Sequence, residues 1–259
     1  MRYLKPVALA FTSLAIGLTA ANAAEDERTE LRVCAAELQP WIYVDEDKPL
    51  RGFEVDALEG MAEELNLETS FIVKDFKELK PALMSGECDM IASGFSITLE
   101  RVQDVAFSVP YNQTEYHLLV PTGLAEEMAT IEDFDDPEIR IGHLAGGVSG
   151  VVAEEFFPDA QLVPLPARID SLDAFREGRI DAYVSSDPFD KLINEVAPGE
   201  FTVFGDDLLR VSIEALAVRK EDQELLDKIN PFIIRGVNEN YFLNLHRKWF
   251  TEENMLTGY

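Results

Sequence analysis

Short apolar runs alternate with stretches of helical period from Leu31 to Phe204, and this alternation constrains the fold more than any other feature of the chain. Strands are expected over 31–35, 69–73, 89–93, 116–120, 139–144, 161–165, 180–184 and 201–204. Between the first two, Val55, Leu58, Met61, Ala62 and Leu65 recur at helical spacing, a stripe that reads as core rather than as a cofactor site. Further helices are expected over 75–86, 151–157, 171–178 and 188–196, the first with a glycine stop at Gly86. Such alternation, with no short-period repeat, predicts an α/β fold with mainly parallel sheets.

The strand expected at 89–93 runs into a small-residue turn with two hydroxyls, S-G-F-S from Ser93 to Ser96, and a single arginine, Arg101, follows. In an open α/β sheet, ligands sit beyond the carboxyl ends of the strands, where this turn would lie. A guanidinium there suits a carboxylate, because its planar fork donates two parallel hydrogen bonds. On spacing alone, an intra-lobe ion pair on a helix surface is an equal alternative for Arg101.

The chain opens with Arg2 and Lys5, an apolar run from Pro6 to Ala20 and an A-N-A site at 21–23, the pattern of a cleavable secretory signal peptide over 1–23. The run is too short to span a bilayer. Cleavage before Ala24 would release a soluble periplasmic protein, and losing Arg2 and Lys5 would take the formal charge from −27 to −29. That acidity argues against nucleic acid or anionic lipid as a partner, and otherwise reads as a solvated, salt-tolerant surface. An oxidising compartment allows Cys34 and Cys88 to pair. Their strand offset, at about 3.3 Å per residue, argues that they stand apart, and the pairing stays open here.

The wording S-G-F-S-I-T-L-E-R from Ser93 to Arg101, followed by F-S-V-P-Y from Phe107 to Tyr111, resembles the signature of the solute-binding proteins of polar amino acid ABC importers, extracellular family 3. G-F-E-V-D at 52–56, A-V-R-K at 217–220 and R-K-W-F at 247–250 resemble the same family. The resemblance implies two Rossmann-like lobes joined by a two-strand hinge. It places lobe 1 at 31–119 and 211–259 and lobe 2 at 120–210, with hinge segments near 118–123 and 209–216. A monomer would close on one small carboxylate-bearing solute, an amino acid or a relative of one, and deliver it to an inner-membrane permease.

By the same resemblance, Arg101, Ser96 and the Gly94 turn hold the α-carboxylate with backbone amides of Gly147, Val148 and Ser149 from the second lobe. That turn reads G-G-V-S at 146–149, so one or two hydroxyls of the family's usual wording are missing. Phe76 is expected to cover the ligand's side chain, and Trp41 either lines the cleft or packs within its lobe. The ammonium usually meets an acid after the strand at 180–184, where Ser186 stands with Asp187 one place on. A second acid often follows the first strand, where Ala36 stands with Glu37 one place on. If neither acid reaches the cleft, a quaternary or cyclic amine held by aromatic faces is the alternative ligand.

Catalysis is not expected. His117, His143 and His246 lack metal-ligand spacing, and no nucleophile, redox or dinucleotide motif occurs, so no metal or cofactor is expected either. A dehydratase would need a positioned general acid that the chain does not advertise. The rival reading is a periplasmic accessory protein of a quinoprotein methanol dehydrogenase, suggested by L-R-V-C at 31–34 and G-E-C-D at 86–89.

Overall fold

The computed structural model describes residues 28–45, 48–205 and 208–251, so the signal peptide expected over 1–23 lies outside the described residues. The first sheet is ordered Glu68–Val73, Glu30–Ala35, Met90–Ile91, Ala217–Arg219, Val105–Phe107. Its first three strands are parallel, and the strand Ala217–Arg219, which brings the chain back, joins antiparallel. Parallel neighbours require crossovers, here the helices Phe53–Leu65 and Leu79–Ser85. The first helix buries Val55, Leu58, Met61 and Ala62, the stripe expected from their spacing. The second ends on Gly86 with φ 80°, a left-handed conformation that glycine adopts without steric cost.

The second sheet is ordered Phe201–Val203, Asn112–Pro121, Ala182–Ser186, Arg140–Leu144, Gln161–Leu165, and Arg210–Glu214 also pairs with Asn112–Pro121. Again three strands form a parallel core and the others join antiparallel. Apolar clusters built on Leu118, Val152 and Val184 and on Leu119, Ile180 and Leu192 complete this lobe. The result is an α/β fold with parallel sheet cores, as the alternating pattern predicts, in the two lobes that the family resemblance implies.

The first crossing between the lobes differs from expectation, while the second, at 215–216, falls within the expected segment 209–216. The strand expected at 116–120 begins at Asn112, because the polar start N-Q-T-E carries no hydrophobic signal although Thr114 and Tyr116 are buried. It pairs with Arg210–Glu214 in a register that sets Glu214 opposite Asn112 and Arg210 opposite Tyr116. The chain therefore passes between sheets at 108–111 and 215–216, not at 118–123. The boundaries expected at 119/120 and 210/211 fall within or at the end of strands of the second sheet. Ser108 N donates to Leu216 O (2.9 Å), Leu216 N to Ser108 Oγ (3.0 Å) and Tyr111 N to Glu214 O (3.1 Å), tying the crossings side by side.

Cys34 and Cys88 form a disulfide, with Cα atoms 5.6 Å apart. The strand-offset argument against it fails because the strand starts only at Met90. Cys88 lies in the bend between Gly86 and that strand, so extended-strand spacing does not apply to it.

Candidate functional site

The ends of the parallel strands face each other across the gap between lobes. From the first lobe come Phe76 and the turn holding Gly94 and Ser96; from the second come Leu144, Gly147, Val148 and Ser186. Thr114, Tyr116 and Glu214 on the paired crossing strands line the same inner cavity, with Arg168 and Tyr183. An outer cavity of about 360 Å³ shares Phe76, Gly147 and Val148 with the inner one and adds Arg101, Phe95 and Gly146.

Arg101 opens a short 3-10 turn, Arg101–Gln103, and is 6% exposed. Its guanidinium donates to Ser96 O (2.8 Å) and, across the cleft, to Gly146 O (2.9 Å). The guanidinium carbon stands 3.8 Å from the centre of the Phe95 ring and 5.7 Å from that of Phe76. Burial draws its pKa down to about 10, so it stays charged at neutral pH. Among the described residues no carboxylate forms an ion pair with it. Among the described residues the intra-lobe ion pair left open by its spacing is absent, and two carbonyls and the faces of Phe95 and Phe76 hold a buried cation. Burying a charge without a counter-charge is costly, and an arriving anion would relieve that cost.

Below this turn sit two buried carboxyl groups that sequence reasoning did not assign to the site. Gly94, with φ 56°, turns its N–H to Glu54 Oε1 (2.9 Å), and the Tyr111 hydroxyl donates to the same oxygen. Burial pushes the Glu54 carboxyl up to about 8, against these two hydrogen bonds. A Cβ on Gly94 would lie 3.1 Å from Trp41 Nε1 and 3.4 Å from Glu214 Oε1, so the turn fits closely between them. Glu214 is 2% exposed, accepts from Asn112 Nδ2 (2.7 Å) and from the Thr114 hydroxyl, and is also pushed upward by burial. Trp41 packs edge-on to Phe250 within the first lobe's core and does not line either cavity.

In the second lobe Gly147 caps the helix Val148–Phe156, and the Ser149 hydroxyl accepts from Leu144 N (3.0 Å), which fixes the turn. The strand expected to end at Val184 continues to Ser186, which lines the inner cavity. Asp187 follows outside the lining, its N–H donating to Glu115 O. Glu37 stands exposed at an adjoining opening lined also by Gln39 and Phe189, and by Leu38 and Arg168, which line the inner cavity as well. Of the expected residues, the structure brings Gly94, Ser96, Phe76, Gly147, Val148, Ser149 and Ser186 to the inner cavity and Arg101 to the outer one. Trp41 lies outside both in the core of its lobe, the second of its two expected places, and Glu37 and Asp187 lie outside both because neither makes the one-place shift towards the cavity that was expected of it.

Arg168, Glu214, Thr114 and Tyr116 were not anticipated. Burial and the nearby Glu214 hold the Tyr116 phenol above its ordinary value, against the smaller opposing pull of Arg168 and Arg101. The only sequence signal for Glu214 was its position in a segment expected to cross back between lobes. Among the described residues no group of three or more His, Cys, Asp or Glu is placed to hold a metal, and no helix is long and apolar enough to cross a membrane.

Residues 31–252 match the family model of bacterial extracellular solute-binding proteins, family 3. A probable histidine-binding protein of Neisseria gonorrhoeae is 27% identical over 95% of this chain and 94% of the relative. The L-cystine-binding protein TcyJ of Escherichia coli is 26% identical over 82% of this chain and 78% of the relative. In structure, the chain resembles an ancestral amino acid-binding protein, a precursor of cyclohexadienyl dehydratase, with TM-score 0.78 and 28% identity over 86% of this chain and 96% of that one. With the match running through both lobes and both crossings, the chain belongs to the bacterial extracellular solute-binding proteins, family 3.

Proposed function

We propose that this protein is the periplasmic receptor of an ABC importer, exported through the segment 1–23, and that it binds one small carboxylate-bearing solute between its lobes. Arg101 carries this reading: a buried guanidinium without an acidic partner at the mouth of an inter-lobe cavity needs an anion. The Gly147–Ser149 turn faces the same cavity from the other lobe with the amino end of a nine-residue helix, whose dipole favours negative charge. Relatives named for histidine and cystine binding support an amino acid or a close analogue. Phe76 covers the solute, Ser96 and Gly94 frame its carboxylate, and the closed form is what the permease receives.

The test is a thermal-shift and calorimetric screen of the ligand-stripped mature protein, with Arg101→Met beside it. A solute at a hundred times its dissociation constant adds about 2.7 kcal/mol of stability. Arg101→Met is expected to lose about 1.5–3 kcal/mol of binding, the scale of a hydrogen bond to charge. Equal affinity in the variant would remove Arg101 from the site. No response of the folded wild type to any amino acid or small carboxylate would favour a protein partner instead.

A further inference from the structure

Resting on that reading, we infer that the solute is an acidic amino acid, with its second carboxylate received by Arg168 and its ammonium by Glu214. Arg168 and Glu214 are the charged side chains that line the inner cavity, and they come from different parts of the fold. Arg168 follows the second-lobe strand Gln161–Leu165, and Glu214 ends the crossing strand Arg210–Glu214.

Arg168 is held in place while most of its donors remain unused. Its guanidinium carbon lies 5.6 Å from the Trp41 ring and 5.3 Å from Phe189, and its one hydrogen bond, 3.4 Å long, goes to Gln39 O. Among the described residues no carboxylate forms an ion pair with it. A guanidinium has five N–H donors, and a carboxylate is the partner that uses two of them at once.

Glu214 has the opposite character. Its carboxylate accepts neutral donors only, from Asn112 and Thr114 with the Trp41 indole beside them, and no cation is bonded to it among the described residues. The positions where the family resemblance expects an acid for the ammonium hold Ala36 and Ser186, so Glu214 is the acid on the cavity wall. Glu54 lies behind Gly94, bound to its N–H and to Tyr111, and is not on that wall.

The charges then select the solute. On the outer wall Lys77 and Lys80 are matched by Glu100 and Glu154, which leaves Arg101 and Arg168 against Glu214, so a solute with two carboxylates and one ammonium neutralises the cleft. A neutral amino acid leaves one arginine uncompensated, and a basic one adds to the excess. A dicarboxylate without an amine sets an anion beside Glu214. Unpaired buried charge penalises each of these alternatives.

The experiment is calorimetric titration of the ligand-stripped mature protein with L-glutamate, L-aspartate, their amides, L-histidine, L-arginine, succinate and glutarate. One of the two acids should bind at least tenfold more tightly than its amide, than the basic amino acids and than the amine-free dicarboxylates. In Arg168→Gln the acid-to-amide ratio should fall towards one; in Glu214→Gln the preference for the amino acid over the dicarboxylate should shrink. Both readouts are ratios within one variant, so a change in its stability does not mimic them. Preference for an amide or a basic amino acid, or an unchanged acid-to-amide ratio in Arg168→Gln, would overturn the charge assignment and leave the receptor reading standing. No binding of any compound by folded wild type would overturn both.

Discussion

At the scale of single residues, the buried carboxyls near the cleft are held in opposite states from those at the far end of the strands. Asp89 is raised by burial but held below its ordinary value by hydrogen bonds from Arg32, side chain and backbone, and from Arg219. Glu54 has no cation beside it; burial lifts it from 4.5 to about 8, and its Oε2 is buried without a hydrogen-bond partner among the described residues. The folded state therefore binds the Glu54 proton more tightly than the unfolded chain does. Its contribution to stability is fully present below pH 4.5 and is lost as pH rises through about 8. Glu54→Gln keeps the shape and removes the titration. Between pH 5 and 8 the melting temperature of the wild type should fall relative to this variant; parallel profiles would show that Glu54 is not protonated in the fold.

At the scale of elements, closure depends on one turn. Gly146 has φ 76°, and a Cβ there would lie 2.8 Å from Lys77 Cα in the facing lobe. The Arg101–Gly146 hydrogen bond and this contact bring the Phe76–Glu78 turn and the second lobe together. Gly146→Ala carries a left-handed strain of about 1–2 kcal/mol in any state, and the clash with Lys77 only when the lobes are shut. The variant should lose a few degrees of melting temperature and at least tenfold in affinity for the solute that the wild type binds. Small-angle scattering should show wild type contracting with that solute while the variant stays extended. Equal contraction would mean that the turn yields and does not gate closure.

At the scale of the whole molecule, the first lobe is assembled from two distant stretches of chain, and covalent and ionic ties join its parts. The disulfide links residues 54 positions apart and anchors the bend before Met90 to the first strand. Arg219, returning from the second lobe, donates to Cys88 O and reaches Asp89 within the same bend. Closing a loop of this length stabilises by about 2–4 kcal/mol. Replacing both cysteines by alanine should lower the unfolding free energy by that amount in denaturant titrations, with the solute affinity little changed because the bridge lies away from both cavities. A loss of affinity with unchanged stability would reverse that assignment.

Local pattern determined a great deal of this protein. Strand and helix periods announced an α/β fold with mainly parallel sheets, because that signal lies within a few neighbouring residues, and the S-G-F-S turn falls at a strand end beside the cleft as its position predicts. Boundaries set by polar segments were not legible: the start of the strand Asn112–Pro121 shows no apolar alternation until its partner Arg210–Glu214 is laid beside it. Only the tertiary structure decided that Cys34 meets Cys88, and that Ser186 rather than Asp187 faces the cavity. It alone also brought Arg168 and Glu214 to one cavity wall from positions 46 apart in the sequence. Charge placement in a cleft between lobes depends on which strand ends converge, and that geometry exists only once both crossings have folded side by side.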